Sequence, residues 1–241
     1  MIRPLISIIT VVYNAQSTLE ATIKSVIGQR REFFEYWIID GGSNDGSLKV
    51  IHKYEHQLAG WISEPDQGIY DAMNKGIDKA SGEWLYFLGA DDTLIPNVLD
   101  QVASQLSDKC VMAHGDVLFD NGRRVPSFLS SRILMQNTIH HQGAFYRKNL
   151  FTDFRYNTQF RILSDYELNL KIYRQNLPVQ RLPMVIARCQ EGGASSNFSM
   201  SLRETNAIRS FYVGNKIVNK SLSLLLNLYY MQKQFRNHLF K

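Results

Sequence analysis

Cysteine is scarce in this chain. Cys110 and Cys189 are the only two among 241 residues, far apart and in no CxxC spacing, which argues against a disulfide framework and a structural zinc site. Long apolar runs are missing too. Nowhere do about 18 apolar residues follow one another, so no membrane span is expected. The first apolar run, Ile6–Val12, is too short for a signal-peptide core and has no small-residue cleavage site after it, so chemistry facing the cytosol is expected. Several catalytic signatures are also absent. No GxGxxG follows the first apolar run, which disfavours a nicotinamide dinucleotide site. No GxxxxGK[ST] or GxSxG occurs, which removes a P-loop and a hydrolase nucleophile elbow. Neither internal repeats nor low-complexity linkers are found.

What is present is a globular composition, with 44% hydrophobic, 20% charged and 12% aromatic residues, unlike a disordered chain. The net charge is +5, and it is unevenly placed. From Ser201 onward there are seven Lys/Arg and a single acid, Glu204, so the first 200 residues are close to neutral. The same segment is rich in Leu and Tyr between Leu222 and Tyr230. It reads as one or two basic amphipathic helices. A division into residues 1–200 and a helical tail over 201–241 is expected.

The first ninety residues alternate between two periodicities. Ile6 to Val12 is β-branched and nearly all apolar, as in a strand buried on both faces. Tyr36–Ile39, Trp61–Ile62 and Trp84–Leu88 follow as further strands. Between them, helical spacing joins Leu19, Ile23, Val26 and Ile27, then Leu48, Val50, Ile51 and Tyr54, then Ile69 through Ala80. Strand and helix in alternation with short connections predicts a doubly wound, mostly parallel α/β sheet. Ligands of such sheets bind beyond the carboxyl ends of the strands. Those ends carry Thr10 and Tyr13, Asp40 to Asp45, Glu64 and Asp66, and Asp91 and Asp92. A sheet needs polar turns there, but it does not need aspartate at three of four ends.

The second half is less regular. Val111–Ala113 and Val117–Phe119 read as strands on either side of Gly115-Asp116, with Asp120-Asn121-Gly122 as a hairpin turn. Gly143–Tyr146 reads as another strand, Asp165–Arg174 as a helix and Gly192–Ser196 as a flexible loop.

Five blocks occur in order: ISIITVVYN from Ile6, DGGSNDGS from Asp40, SEPDQGIYDAMNKGI from Ser63, GEWLYFLGADDTL from Gly82 and SDYE from Ser164. The set resembles family 2 glycosyltransferases with the GT-A nucleotide-diphospho-sugar fold, among them bacterial enzymes of capsule, O-antigen and colanic-acid-type polysaccharide synthesis. The resemblance implies inverting transfer from a nucleotide-diphosphate sugar to a saccharide or lipid-linked acceptor. It implies Asp165 as general base, Asp91 and then Asp92 as ligands of Mg²⁺ or Mn²⁺, and Thr10, Tyr13, Asp40 and Asp66 around the nucleotide. His141 or Gln142 is expected against acceptor or phosphate, and adjacent His140 and His141 cannot both face one site in extended chain. Two positions depart from the family pattern. Gly89 stands where the first Asp of Asp-x-Asp-Asp is common, and Met73 where an arginine commonly faces phosphate. Lys75 is the expected substitute for that arginine, and it also lies at i,i+4 to Asp71, the spacing of an exposed ion pair. No nucleic-acid partner is expected; an anionic membrane surface is a candidate partner for the basic tail, on the cytoplasmic face of a membrane. Alternatives are a sugar-nucleotidyltransferase, whose Gly-rich basic loop is not seen in Tyr13-Asn14-Ala15-Gln16, and a non-catalytic saccharide- or lipid-binding module.

Overall fold

The computed structural model describes residues 4–190 and 197–239. In chain order the elements are β1 (Ile6–Val12), α1 (Leu19–Ile27), β2 (Phe34–Asp40), α2 (Ser47–Tyr54), β3 (Gly60–Ser63), α3 (Ile69–Lys79) and β4 (Trp84–Gly89). Then come β5 (Thr93–Leu94), α4 (Val98–Ala103), β6 (Met112–Phe119), β7 (Arg124–Val125), β8 (Ala144–Arg147), α5 (Ser164–Arg174) and β9 (Val179–Cys189). The chain closes with α6 (Phe198–Tyr212) and α7 (Lys216–Leu239). The strands join one sheet in the order β3-β2-β1-β4-β8-β6-β9-β5, with β7 paired to β6.

The expected α/β sheet is there, but it is mixed rather than mostly parallel. It is parallel from β3 to β4. Beyond β4 the direction reverses, with β8 antiparallel to both β4 and β6. The reason lies in the connection. A parallel pair needs a long crossover, usually helical, and between β6 and β8 there are only β7 and short 3₁₀ turns.

Both sheet faces are covered. One apolar core packs Ile6, Ile8, Ile38 and Trp84 with Leu19, Ile23 and Val26 of α1. The other packs Ile9, Ile39, Leu85 and Phe87 with α3 and α5. Alternate residues of one strand thus feed opposite cores, as a strand buried on both faces requires. Gly76 lets α3 lie close to the sheet, since a Cβ there would come within 2.5 Å of Ile9 Cγ2. Glycine inside a helix costs about 1 kcal/mol relative to alanine, and the close packing offsets it.

Two sequence expectations in the second half are corrected. Val111–Ala113 and Val117–Phe119 belong to one strand, β6, with Gly115-Asp116 inside it. Its pairing with β9 shifts register between His114 and Asp116, and a Cβ on Gly115 would meet Ile186 Cγ1 at 2.6 Å. The glycine marks close approach within a bulged strand and not a turn. Strand β9 carries no signal that the sequence reading used, because Pro183 and two arginines interrupt its apolar pattern. Pro183 lies between the pairs Arg181↔His114 and Val185↔Asp116, where the register is already broken. The Gly192–Ser196 loop lies outside the described residues.

The basic segment is two helices. The first is built into the domain. Ser201, Glu204, Thr205, Ile208 and Arg209 of α6 are buried, and Ile208 shares a small core with Tyr166 and Leu170 of α5. Arg209, fully buried, donates to Asn219 Oδ1 at 2.6 Å and Ser223 Oγ at 2.5 Å, which fastens α7 to α6. Among the described residues no helix is long and apolar enough to cross a membrane.

Candidate active site

In the order β3-β2-β1-β4 the chain reverses direction of travel between β1 and β4, and a ligand crevice is expected outside the carboxyl ends of strands at such a point. A cleft of about 1360 Å³ opens there. Its walls are Val11–Ala15 after β1, Gly41-Gly42 after β2, Pro65–Ala72 entering α3, and Gly89–Asp91 after β4. The far wall comes from Thr158, Phe160–Ile162, Asn197 and Met200.

The predicted nucleotide residues divide into lining and bracing. Tyr13 is 66% exposed at the mouth. Asp66 lines the cleft and accepts from the Gly68 N–H at 2.8 Å. Its carboxylate sits so close to Gly41 that a Cβ there would overlap it at 2.2 Å, so a side chain at Gly41 would displace the Asp66 carboxylate. Asp40 is fully buried and braces the Gly41–Ser43 turn, accepting from the N–H of Gly42 (3.1 Å) and of Ser43 (3.0 Å), and from Ser63 Oγ (2.7 Å). Thr10 is corrected. Strand alternation turns its side chain inward, where its hydroxyl accepts from Tyr36 OH at 3.0 Å, so it does not line the cleft.

Lys75 also finds other partners. Its Nζ lies 2.9 Å from Glu64 and 3.8 Å from Asp71, and donates to the Pro65 carbonyl at 3.0 Å. It is not among the described residues lining the cleft. Met73, where a phosphate-facing arginine was expected, is 2% exposed and belongs to the core under α3.

Asp91 and Asp92 differ sharply. Asp91 is exposed on the cleft wall, whereas Asp92 is 3% exposed behind it and accepts from Gln142 Nε2 at 2.9 Å. Burial and the neighbouring Asp91 charge push Asp92 up to about 6, while Gln142 and Cys189 pull the other way. Gln142, expected against acceptor or phosphate, is held by this aspartate. Gly89 has a steric reason: a Cβ there would lie 2.6 Å from Asp92 Oδ2 and 2.9 Å from Asp91 Oδ1. Among the described residues no three His, Cys, Asp or Glu side chains form a metal-binding group. A pair of adjacent carboxylates, one facing solvent, fits Mg²⁺ or Mn²⁺, which take few protein oxygens and fill the shell with water and phosphate.

Asp165 sits in the first turn of α5, one hydrogen bond behind the cleft wall. Tyr70, which lines the cleft, donates to Asp165 Oδ1 at 3.0 Å, and Asn137 Nδ2 donates to Oδ2 at 2.9 Å. Burial pushes Asp165 up to about 6, and these two donors hold the rise in check. His141 Nδ1 is 3.9 Å from Asp165 Oδ2. Burial pulls His141 down to about 4, so its ring is neutral at pH 7. His140 packs edge-on against Phe119, so the two histidines face different surroundings, although His141 opens a 3₁₀ turn (His141–Gly143) and is not in the extended chain that was expected. Glu167 is turned to Tyr212, which donates to it at 3.3 Å.

Residues 7–177 match the sequence family described as glycosyl transferase family 2. The chain belongs to that family. A PGL/p-HBAD biosynthesis glycosyltransferase of Mycobacterium bovis BCG is 36% identical over 207 residues, spanning 82% of this chain and 81% of the relative. Among solved structures, Staphylococcus aureus TarS 1-349 in complex with UDP-GlcNAc superposes with TM-score 0.69 at 19% identity, covering 90% of this chain and 70% of TarS 1-349. The mannosyltransferase PcManGT of Pyrobaculum calidifontis, in complex with GDP-Man and Mn²⁺, gives TM-score 0.62 at 16% identity over 88% of this chain and 63% of that one. These likenesses show the GT-A fold of the glycosyltransferase described above.

Sequence reasoning missed Tyr70 and Asn137, which grip Asp165, and the whole far wall of the cleft. One signal for that wall was available. Glu204 is the only acid of the basic segment, and it is buried at 3% exposure.

Proposed function

We propose that this glycosyltransferase transfers a sugar from a nucleotide-diphosphate donor with inversion at the anomeric carbon, in the synthesis of a bacterial surface glycan. The observation that carries the reading is Asp165: a buried carboxylate, held by two donors, poised near neutrality one hydrogen bond behind the cleft wall at Tyr70. Inverting transfer needs a carboxylate beside the acceptor hydroxyl, opposite the leaving group. Asp165 takes the hydroxyl proton as the oxygen attacks the anomeric carbon, and the bond to the nucleoside diphosphate breaks with its electron pair. Tyr70 and Asn137 keep the carboxylate oriented. Asp91, with Asp92 behind it, would hold Mg²⁺ or Mn²⁺, which when bound supplies positive charge to the departing diphosphate. Tyr13, Gly41-Gly42 and Asp66 form the nucleotide wall, and Asp40 fixes its turn. The name of the mycobacterial relative supports a saccharide or lipid-linked acceptor. Release of nucleoside diphosphate from a panel of nucleotide sugars tests the reading. Release of pyrophosphate instead would indicate a nucleotidyltransferase, and no turnover with any donor a binding module.

The same reading gives α7 a surface role. Ile217, Leu224, Leu228 and Met231 are exposed and fall on one stripe at helical spacing. Residues 216–239 contain four Lys/Arg and no acid. Two copies pairing through this face would oppose like charges, so an anionic lipid surface is the better occupant, each basic side chain contributing about 1 kcal/mol. The full chain is expected to sediment with phosphatidylglycerol vesicles at low salt, less so at 1 M salt and less so after Leu224→Glu with Leu228→Glu. Sedimentation unaffected by both changes would remove the membrane role.

A further inference from the structure

A departing nucleoside diphosphate needs cationic contacts, yet the position where the family commonly has arginine holds Met73, and the substitute Lys75 is engaged elsewhere. Met73 is buried, and Lys75 is engaged by Glu64, Asp71 and the Pro65 carbonyl. Among the described residues lining the cleft, Arg161 is the only Lys, Arg or His. It is exposed and lines the same cleft as the ends of β1 and β4.

The segment that carries Arg161 is irregular, yet it is anchored. The Glu204 carboxylate of α6, 3% exposed, accepts from three consecutive backbone N–H groups: Arg161 at 2.7 Å, Ile162 at 3.1 Å and Leu163 at 3.0 Å. The other end of the segment is closed by the Asn157 N–H, which donates to Ser164 Oγ at 2.7 Å. Charge-assisted bonds to a buried carboxylate are shorter and stronger than neutral ones, and three of them on successive residues fix the backbone beneath Arg161. The guanidinium keeps its planar fork of donors for an anion, a geometry that suits phosphate oxygens.

Building on the donor reading above, we propose that Arg161 binds the diphosphate of the nucleotide sugar and that Glu204 is the positioning residue that presents it. Helix α6 is then part of the donor site, and the basic segment reaches the chemistry through its single acid.

The test uses the full chain with Mn²⁺ and the probes UDP, GDP and dTDP, each beside its own nucleoside, with binding measured by calorimetry and ligand-observed NMR. The wild type is expected to prefer one diphosphate over its nucleoside. Arg161→Gln should weaken that diphosphate by about 10–100-fold, the loss expected for a charged hydrogen-bonding partner, and leave the nucleoside unchanged. Arg161→Lys should recover part of the loss, since it restores charge without the fork. Glu204→Gln keeps the shape and should weaken the diphosphate in the wild-type background but add nothing in the Arg161→Gln background, the signature of coupled residues in a double-mutant cycle. A merely structural Glu204 would weaken nucleoside and diphosphate alike in both backgrounds, which overturns its positioning role. Wild-type diphosphate affinity in Arg161→Gln overturns the proposal and leaves the donor reading standing. A wild type that binds none of the three diphosphates overturns both.

Discussion

Replacing Asp165 by asparagine is expected to cut turnover by roughly 10²–10⁴-fold, the contribution of a positioned general base, and at the same time to raise the melting temperature above neutral pH. Both effects come from one environment. Burial pushes Asp165 up to about 6, above its ordinary carboxylate value of 3.8. Below pH 4 the group is protonated in folded and unfolded chains alike and costs nothing. Between pH 4 and 6 the unfolded chain loses its proton first, so stability falls as pH rises. Above pH 6 the folded state carries the full penalty, of order 3 kcal/mol for a shift of about two units. Asparagine removes that penalty, less whatever is lost at Asn137, whose amide no longer meets a carboxylate. The same titration sets a rate profile. Wild-type kcat/KM should be full above pH 6 and fall as pH drops through it, because only the carboxylate accepts a proton. Thermal unfolding and initial rates on one preparation check both. Donor affinity should hardly change in Asp165→Asn. A collapse of donor affinity, or a lower melting temperature at pH 8, would make Asp165 a structural residue.

How much of this was legible beforehand follows a physical division. The parallel half of the sheet could be read because each strand buries both faces and each helix only one, so the two periodicities stand apart. The switch-point cleft follows from that order, and the carboxylates at the strand ends mark it. The antiparallel half was obscured where tertiary contacts override local pattern. Gly115 resembles a turn residue, yet it serves a bulge against Ile186. Pro183 resembles a strand breaker, yet it sits where the β6–β9 register already fails. Within the site, residue type identified Asp91, Asp66 and Asp165 as candidates, but the direction of a side chain is set by its neighbours. Thr10 faces the core, where its hydroxyl accepts from Tyr36, two positions before its own partner Ile38 on the neighbouring strand. Lys75 faces Glu64 because the turn into α3 brings that carboxylate within 2.9 Å. The far wall left only one trace, the lone acid Glu204 in a basic segment, and its link to the site is made more than 40 positions along the chain from the segment it grips.

Removing the Asp91 carboxylate, as in Asp91→Ala, is expected to abolish the effect of Mn²⁺ on donor binding while the apo protein melts as before. Asp91 is exposed on the rim, and its loss opens no cavity in the apolar core. Asp92 is not placed to substitute for it. It is 3% exposed, lies behind Asp91 and is already engaged by Gln142. A donor present at about 100 times its dissociation constant stabilises the folded state by about 2.7 kcal/mol. For a domain of this size that amounts to roughly 5–10 °C in melting temperature. In the wild type most of that shift should require Mn²⁺, because the cation shares its shell between the carboxylate and the donor diphosphate. In Asp91→Ala the shift with donor and Mn²⁺ should fall to that with donor alone, and turnover should drop with it. Asp92→Asn is the companion variant. It removes a buried charge whose main contact is Gln142, so it should retain most of the Mn²⁺-dependent shift. If Asp91→Ala keeps the shift and Asp92→Asn loses it, the assignment of ligand and support is reversed. If neither variant alters it, the metal is held by groups other than Asp91 and Asp92.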